Sequence, residues 1–201
     1  MSLLNMNGNV LCALDFETTG VLAGYNEIIQ IACVPLDQHF EPHKTMRFHY
    51  INMKPEHPER ASKEAEKKHG ITMESLEGCP TQERGIEIFE DWYRNLNLPF
   101  GKRLIPLAHN FAFERGFMIN WLGLDAYDAM WHIHPRDTFT LATAINDLYV
   151  WHGRVHPFHS VGLPSLCKRF DIQLDNAHDA LADSLACAKL YAELMRFMGG
   201  C

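Results

Sequence analysis

Three apolar segments fall within residues 9–53, joined by short connections. Asn9–Asp15 is a compact apolar run that leads into the polar turn Thr18-Thr19-Gly20. Glu27–Leu36 carries Ile28, Ile29, Ile31, Ala32 and Val34, while Thr45–Met53 alternates apolar and polar residues through Met46, Phe48 and Tyr50. Segments of this kind read as strands. Strands so close in sequence pair as an antiparallel meander, because a parallel crossover needs a dozen or more residues.

The rest of the chain alternates. Lys54–Pro80 is rich in Pro and Glu, with a short helix over Ser62–His69. Thr81–Leu96 is an amphipathic helix with Ile86, Phe89, Tyr93 and Leu96 on one face. A fourth strand over Arg103–Ala108 precedes a helix over Asn110–Leu122, which Asn110 caps and which carries Phe113, Phe117 and Trp121. A fifth strand lies just before Asp137, followed by helices over Thr138–Tyr149, Pro164–Phe170 and Asp179–Met198. On the last, Leu181, Leu185, Ala188, Ala192 and Met195 read as the inner face. This order predicts an α/β fold: one mixed five-stranded sheet, three antiparallel strands then parallel additions, flanked by helices.

A length of 201 residues fits one domain over 1–201, with its motifs between about 9 and 198. No apolar stretch approaches the roughly 18 residues of a membrane helix. Met1–Val10 has no basic region followed by an apolar run, so no secretory signal is expected. Cys12, Cys33, Cys79, Cys167, Cys187 and Cys201 form no C-x-x-C pair, which predicts reduced thiols and a cytoplasmic location. The net charge of −7 argues against a non-specific duplex binder. It does not exclude a nucleic-acid enzyme, since divalent metals would cancel the charge of clustered carboxylates.

Three sites carry chemistry. Asp15 and Glu17, two apart on a strand, point to the same side and repel unless a cation or proton intervenes. In His109-Asn110-Phe111-Ala112-Phe113-Glu114, Glu114 falls near the first turn of a helix, where the dipole also favours an acid. In His178-Asp179-Ala180-Leu181-Ala182-Asp183, the five-residue spacing separates His178 from Asp183 around a helix. They converge if His178 sits on the loop before the helix and Asp183 just inside it.

The order D-x-E, then H-N-x-x-F-[acid], then H-x-x-x-x-D resembles the motifs of the DEDDh family of 3′→5′ exonucleases. Ribonuclease T, oligoribonuclease and the polymerase III epsilon subunit belong to that family. His69-Gly70-Ile71-Thr72, Asp137-Thr138 with Leu141-Ala142, and Leu166–Phe170 are similar to further family segments, so the likeness runs from about Leu11 to Leu194. It implies a ribonuclease H-like fold and a two-metal phosphodiesterase. Asp15, Glu17, Glu114 and Asp183 would hold two Mg²⁺, with Mn²⁺ able to substitute, and His178 would take the proton from the attacking water. Added Mg²⁺ is accordingly expected to raise thermal stability. Phe16, Thr18 and Thr19 would contact the last nucleotide, with His69, Asn110 and Phe111 as further contacts. The chain departs from the family at Glu114, where Asp is usual; the longer arm places the carboxylate differently.

The expected substrate is a single-stranded DNA with a free 3′ end. The motifs do not separate this from a 3′→5′ exoribonuclease, and Glu114 keeps open a catalytically weak module that binds nucleic acid or a polymerase. A free-standing repair or degradation nuclease is expected ahead of a polymerase-tethered one, with monomer and homodimer not distinguished. Residues 131–160 hold an excess of histidine and aromatics. They read as a surface loop, as a nucleic-acid lip with stacking from Trp151 or Phe158, or as a zinc cluster. Arg115, Lys168 and Arg169 are candidate phosphate contacts.

Overall fold

The computed structural model describes residues 6–174 and 177–199. Met1–Asn5 and Cys201 lie outside the described residues. The strands are β1 (Val10–Thr18), β2 (Ile28–Pro35), β3 (His49–Asn52), β4 (Leu104–Ala108) and β5 (Arg136–Asp137). The helices are α1 (Lys63–His69), α2 (Gln82–Asn95), α3 (Phe111–Leu122), α4 (Leu124–Met130), α5 (Thr138–Trp151), α6 (Leu163–Arg169) and α7 (Ala180–Gly199).

The sheet order is β3-β2-β1-β4-β5. β1 pairs antiparallel with β2, and β2 with β3, while β4 joins β1 and β5 joins β4 in parallel. The expected α/β, ribonuclease H-like architecture is therefore present.

Alternation along β1 divides the core. Cys12, Leu14 and Phe16 face Phe89, Phe117, Met118 and Trp131, contributed by α2, α3 and the end of α4. Leu11 and Ala13 face the other way, against Cys187, Ala188 and Tyr191 of α7. Asp15 and Glu17 have the parity of Leu11 and Ala13, so the pleat turns both carboxylates toward the start of α7.

Local chemistry sets the helix starts. Ser62 Oγ accepts from the Ala65 N–H at 3.0 Å and Thr81 Oγ1 from the Arg84 N–H at 3.3 Å. The start of α1 is tied to the end of β1 by the Ser62 N–H, which donates to the Thr19 carbonyl at 2.7 Å.

Several sequence expectations need correction. β1 runs on to Thr18, and β3 begins only at His49. A short helix, α4, follows α3 because Gly123 at φ 82° stops one helix and starts the next. Asn110 offers no side-chain cap to α3; it sits at φ 73° instead. On α7, Ala188 and Ala192 are buried and Leu181 and Leu185 pack half-buried against the sheet-side core, but Met195 is exposed, and the helix has a second covered side. Cys187, Ala188 and Tyr191 meet the sheet, while Ala186, Leu190 and Leu194 meet α5 and α6.

Candidate active site

A cleft of about 640 Å³ opens where β1 ends, bounded by α1, the start of α3, the start of α5 and the start of α7. Asp15, Phe16, Glu17, Thr18, His69, Asn110, Glu114, His178 and Asp183 all line it. Thr19 and Phe111 do not. The Thr19 N–H and C=O are engaged with Glu27 and Ser62, and Phe111 is buried in the core, edging a different depression on the far side of α3.

Glu114 reaches the cleft through a carboxylate brace. Asp137 accepts from the N–H groups of Asn110 and Phe111, each at 3.0 Å, and also from those of Phe139 and Thr140. One side chain thus fixes the first turns of α3 and α5 together. With α3 so anchored, Glu114 lies in its first turn at 4% exposure.

His178 stands just before α7 at φ 70°, and its N–H donates to Asp183 Oδ2 at 3.3 Å. The five-residue spacing is therefore closed in the way the sequence required, by a loop residue and a first-turn acid. Glu17, His178 and Asp183 offer ligand atoms that all lie within 4.8 Å of one another.

Burial and mutual repulsion dominate the electrostatics of these acids. Burial raises the Asp15 carboxyl well above its usual range, aided by the charges of Glu114, Asp183 and Glu17. Burial pushes Glu17 up to about 8, against the pull of Lys68 and with the help of Asp183 and Asp179. Glu114 likewise rises to about 8 through burial. Burial also raises Asp183, opposed by the N–H and charge of His178. Glu114 Oε2 and Asp183 Oδ1 are buried without a hydrogen-bond partner among the described residues. Orphaned carboxylate oxygens in a cluster of hard donors fit a divalent cation.

The cleft walls include residues that sequence reasoning passed over. Phe113, Phe139, Leu163 and Pro164 give it an apolar side, and Lys68 is a cation facing the acids. Lys68 looks in sequence like any solvated charge of a short helix; ties from Ser62 to Thr19 and from His69 to Thr18 turn α1 toward the site. By contrast, Arg115, Lys168 and Arg169 do not line the cleft; Arg115 lies over the Tyr127 ring and Arg169 over Phe170. Phe158 is a core residue at 3% exposure and is not available for stacking, whereas Trp151 is 86% exposed. Trp131 is buried too. Among the described residues, the histidines of 131–160 contribute to no group of three or more potential ligands.

A family model described as Exonuclease (RNase T) matches residues 12–191. The DNA polymerase III PolC-type protein of Streptococcus pyogenes is 30% identical over 182 residues, and that of Bacillus subtilis (strain 168) 28% over 191. Each alignment covers 90% of this chain, which spans only 11% of the relative's length. E. coli Exonuclease I in complex with a dT13 oligonucleotide superposes with a TM-score of 0.74 at 19% identity, covering 95% of this chain and 43% of that one. Cell-death related nuclease 4 superposes with a TM-score of 0.69 at 19% identity, covering 94% of this chain and 64% of that one.

Proposed function

The chain belongs to the RNase T family of exonucleases, and on that premise we propose that it is a metal-dependent 3′→5′ exonuclease acting on single-stranded DNA. The observation that carries this reading is the convergence on one cleft of four carboxylates, Asp15, Glu17, Glu114 and Asp183, with His178 beside them. Asp15, Glu17, Glu114 and Asp183 are the residues that would hold two Mg²⁺, or Mn²⁺ in their place. Such ions supply charge neutralisation at the scissile phosphate and a more acidic attacking water.

The chain's own groups do the rest. His178 accepts the proton of the attacking water through its imidazole, the base that stands beside the four acids in the cleft. The new P–O bond forms as the bond to the 3′ oxygen of the penultimate nucleotide breaks, releasing a nucleoside 5′-monophosphate. The apolar wall, Phe113 and Phe139 with Phe16 beneath, offers unpaired bases a surface to stack on, which favours a single strand over a duplex. Thr18, His69 and Asn110 remain candidates for contacting the terminal nucleotide. Lys68 is placed to meet phosphate.

The chain is read as one exonuclease domain. Cytoplasmic placement is part of the same proposal, supported by the free state of all five described cysteines. No helix among the described residues is long and apolar enough to cross a membrane. A polymerase partner finds support in the PolC-type relatives. A light-scattering mass separates monomer from homodimer.

The test is a 5′-labelled single strand, as DNA and as RNA, incubated with the protein and Mg²⁺ beside Asp15→Ala. A ladder shortening from the 3′ end, absent in the variant and stronger on DNA, supports the proposal. A stronger RNA ladder moves it to the exoribonuclease reading. Intact strands with both Mg²⁺ and Mn²⁺ overturn it in favour of a binding module.

A further inference from the structure

His178 occupies a left-handed backbone conformation, at φ 70°, that is unfavourable for a non-glycine residue. Something must hold it there, and the next residues show what does. The Asp179 side chain caps α7: Oδ1 accepts from the N–H groups of Leu181 at 3.1 Å and Ala182 at 3.0 Å. Its other oxygen, Oδ2, accepts from the Tyr50 hydroxyl at 2.5 Å. Tyr50 lies on β3, two strands from the catalytic one.

Gln30 completes the connection. It is buried on β2, and its amide nitrogen donates to Tyr50 Oη at 3.0 Å and to Asn52 Oδ1 at 2.9 Å. Its amide oxygen accepts from the Ala180 N–H at 2.8 Å. The two donors of the Gln30 amide thus hold β3 residues within the sheet, and its oxygen joins the sheet to α7. Three consecutive N–H groups at the start of α7, those of Ala180, Leu181 and Ala182, are held directly or through Asp179 by two sheet residues. None of these groups lines the cleft.

We propose that Gln30 and Tyr50 form a strap from the sheet to α7 that sets the orientation of His178, so that Tyr50 is a positioning residue for the general base without touching substrate. The inference rests on the exonuclease reading. A hydrogen bond to a carboxylate is the stronger kind, and a small displacement of a catalytic group is felt in the rate more than in binding. Tyr50 remains a donor throughout the working range, since burial and the Asp179 charge hold its hydroxyl up at about 12.

The experiment measures steady-state cleavage of a single-stranded DNA by the wild type, Tyr50→Phe, His178→Ala and the double variant. Amide hydrogen exchange is followed on the same proteins. Tyr50→Phe is expected to lower kcat about tenfold with KM nearly unchanged, and to have no further effect once His178 is alanine. Exchange at Ala180–Ala182 should speed up while the middle of α7 stays protected. A Tyr50→Phe enzyme with wild-type kcat overturns the strap, as does a loss that persists in the His178→Ala background. Gln30→Leu serves as the second cut of the same connection. If the wild type cleaves nothing, the exonuclease reading fails. Exchange at Ala180–Ala182 unaltered by Tyr50→Phe then overturns the strap independently.

Discussion

Raising the pH in the absence of metal should weaken the fold. Glu17 and Glu114 each stand at about 8, against an ordinary value of 4.5. Around neutrality the folded chain therefore keeps two protons that the unfolded chain releases. When the native state binds more protons, stability falls as pH rises, here from the ordinary value up to about 8, and then levels off. Between pH 7 and 8 each carboxyl withdraws about 1 kcal/mol, from about 1.4 kcal/mol for each tenfold change in proton activity, less the release that begins near 8. Together they remove about 2 kcal/mol, or roughly 4–8 °C of Tm for a chain of this size. The lower bound of the window avoids the histidines. Burial lowers His49 to about 4 and also lowers His69 and His109. These add stability as pH rises from their lowered values to the ordinary one near 6.5, and little above it. The assay is a thermal melt in EDTA at steps from pH 7 to 8, repeated with saturating Mg²⁺ and with Mn²⁺. Tm should fall with pH in EDTA, stay level with metal, and fall less steeply without metal in Glu17→Gln/Glu114→Gln, where the raised Asp15 and Asp183 remain. A Tm in EDTA that holds or rises across the window refutes the reasoning, as does an equal slope with metal bound.

His178→Ala should lower kcat by about 10²–10⁴-fold, the range for removal of a general base, with the melt in EDTA little changed. Equal kcat in wild type and variant would remove His178 from the chemistry. Asp137→Ala strips four backbone N–H groups of their acceptor and should cost roughly 2–3 kcal/mol, measured by urea unfolding; a midpoint shift near zero would contradict the brace. Phe139→Ala, at a side chain 39% exposed on the cleft wall, should raise KM for a single strand about tenfold, from a stacking contribution of about 1–3 kcal/mol. An unchanged KM would deny the wall its role.

The sheet was legible because its strands are apolar runs with clear turns, and α2 because Thr81 and a 3.6-residue pattern announce it. What escaped depends on contacts distant in sequence. The seven residues of α4 are too few to show a period, and only Gly123 marks the break. Asn110 looks like a cap; that work falls to Asp137, 27 residues on. The inner face of α7 could not be read from one stripe, since two layers cover the helix. Phe158 looked available for stacking, yet its N–H and C=O are gripped by Asn146 and its ring lies among Phe170 and Phe197. The candidate site was more legible than the packing. Asp15, Glu17, Glu114, His178 and Asp183 are all cleft residues, because strand parity and a loop-then-helix geometry already bring them together. The contribution of Lys68 and the strap through Gln30 and Tyr50 needed the fold.

Whether four carboxylates on three elements form one divalent-cation centre is read most directly by titrating the protein with Mn²⁺ and following the free ion by electron paramagnetic resonance. Saturable uptake of about two ions per chain is predicted, with most of it lost in Asp15→Ala and about one ion retained in Glu114→Gln. No saturable uptake, or uptake unchanged in Asp15→Ala, would contradict it.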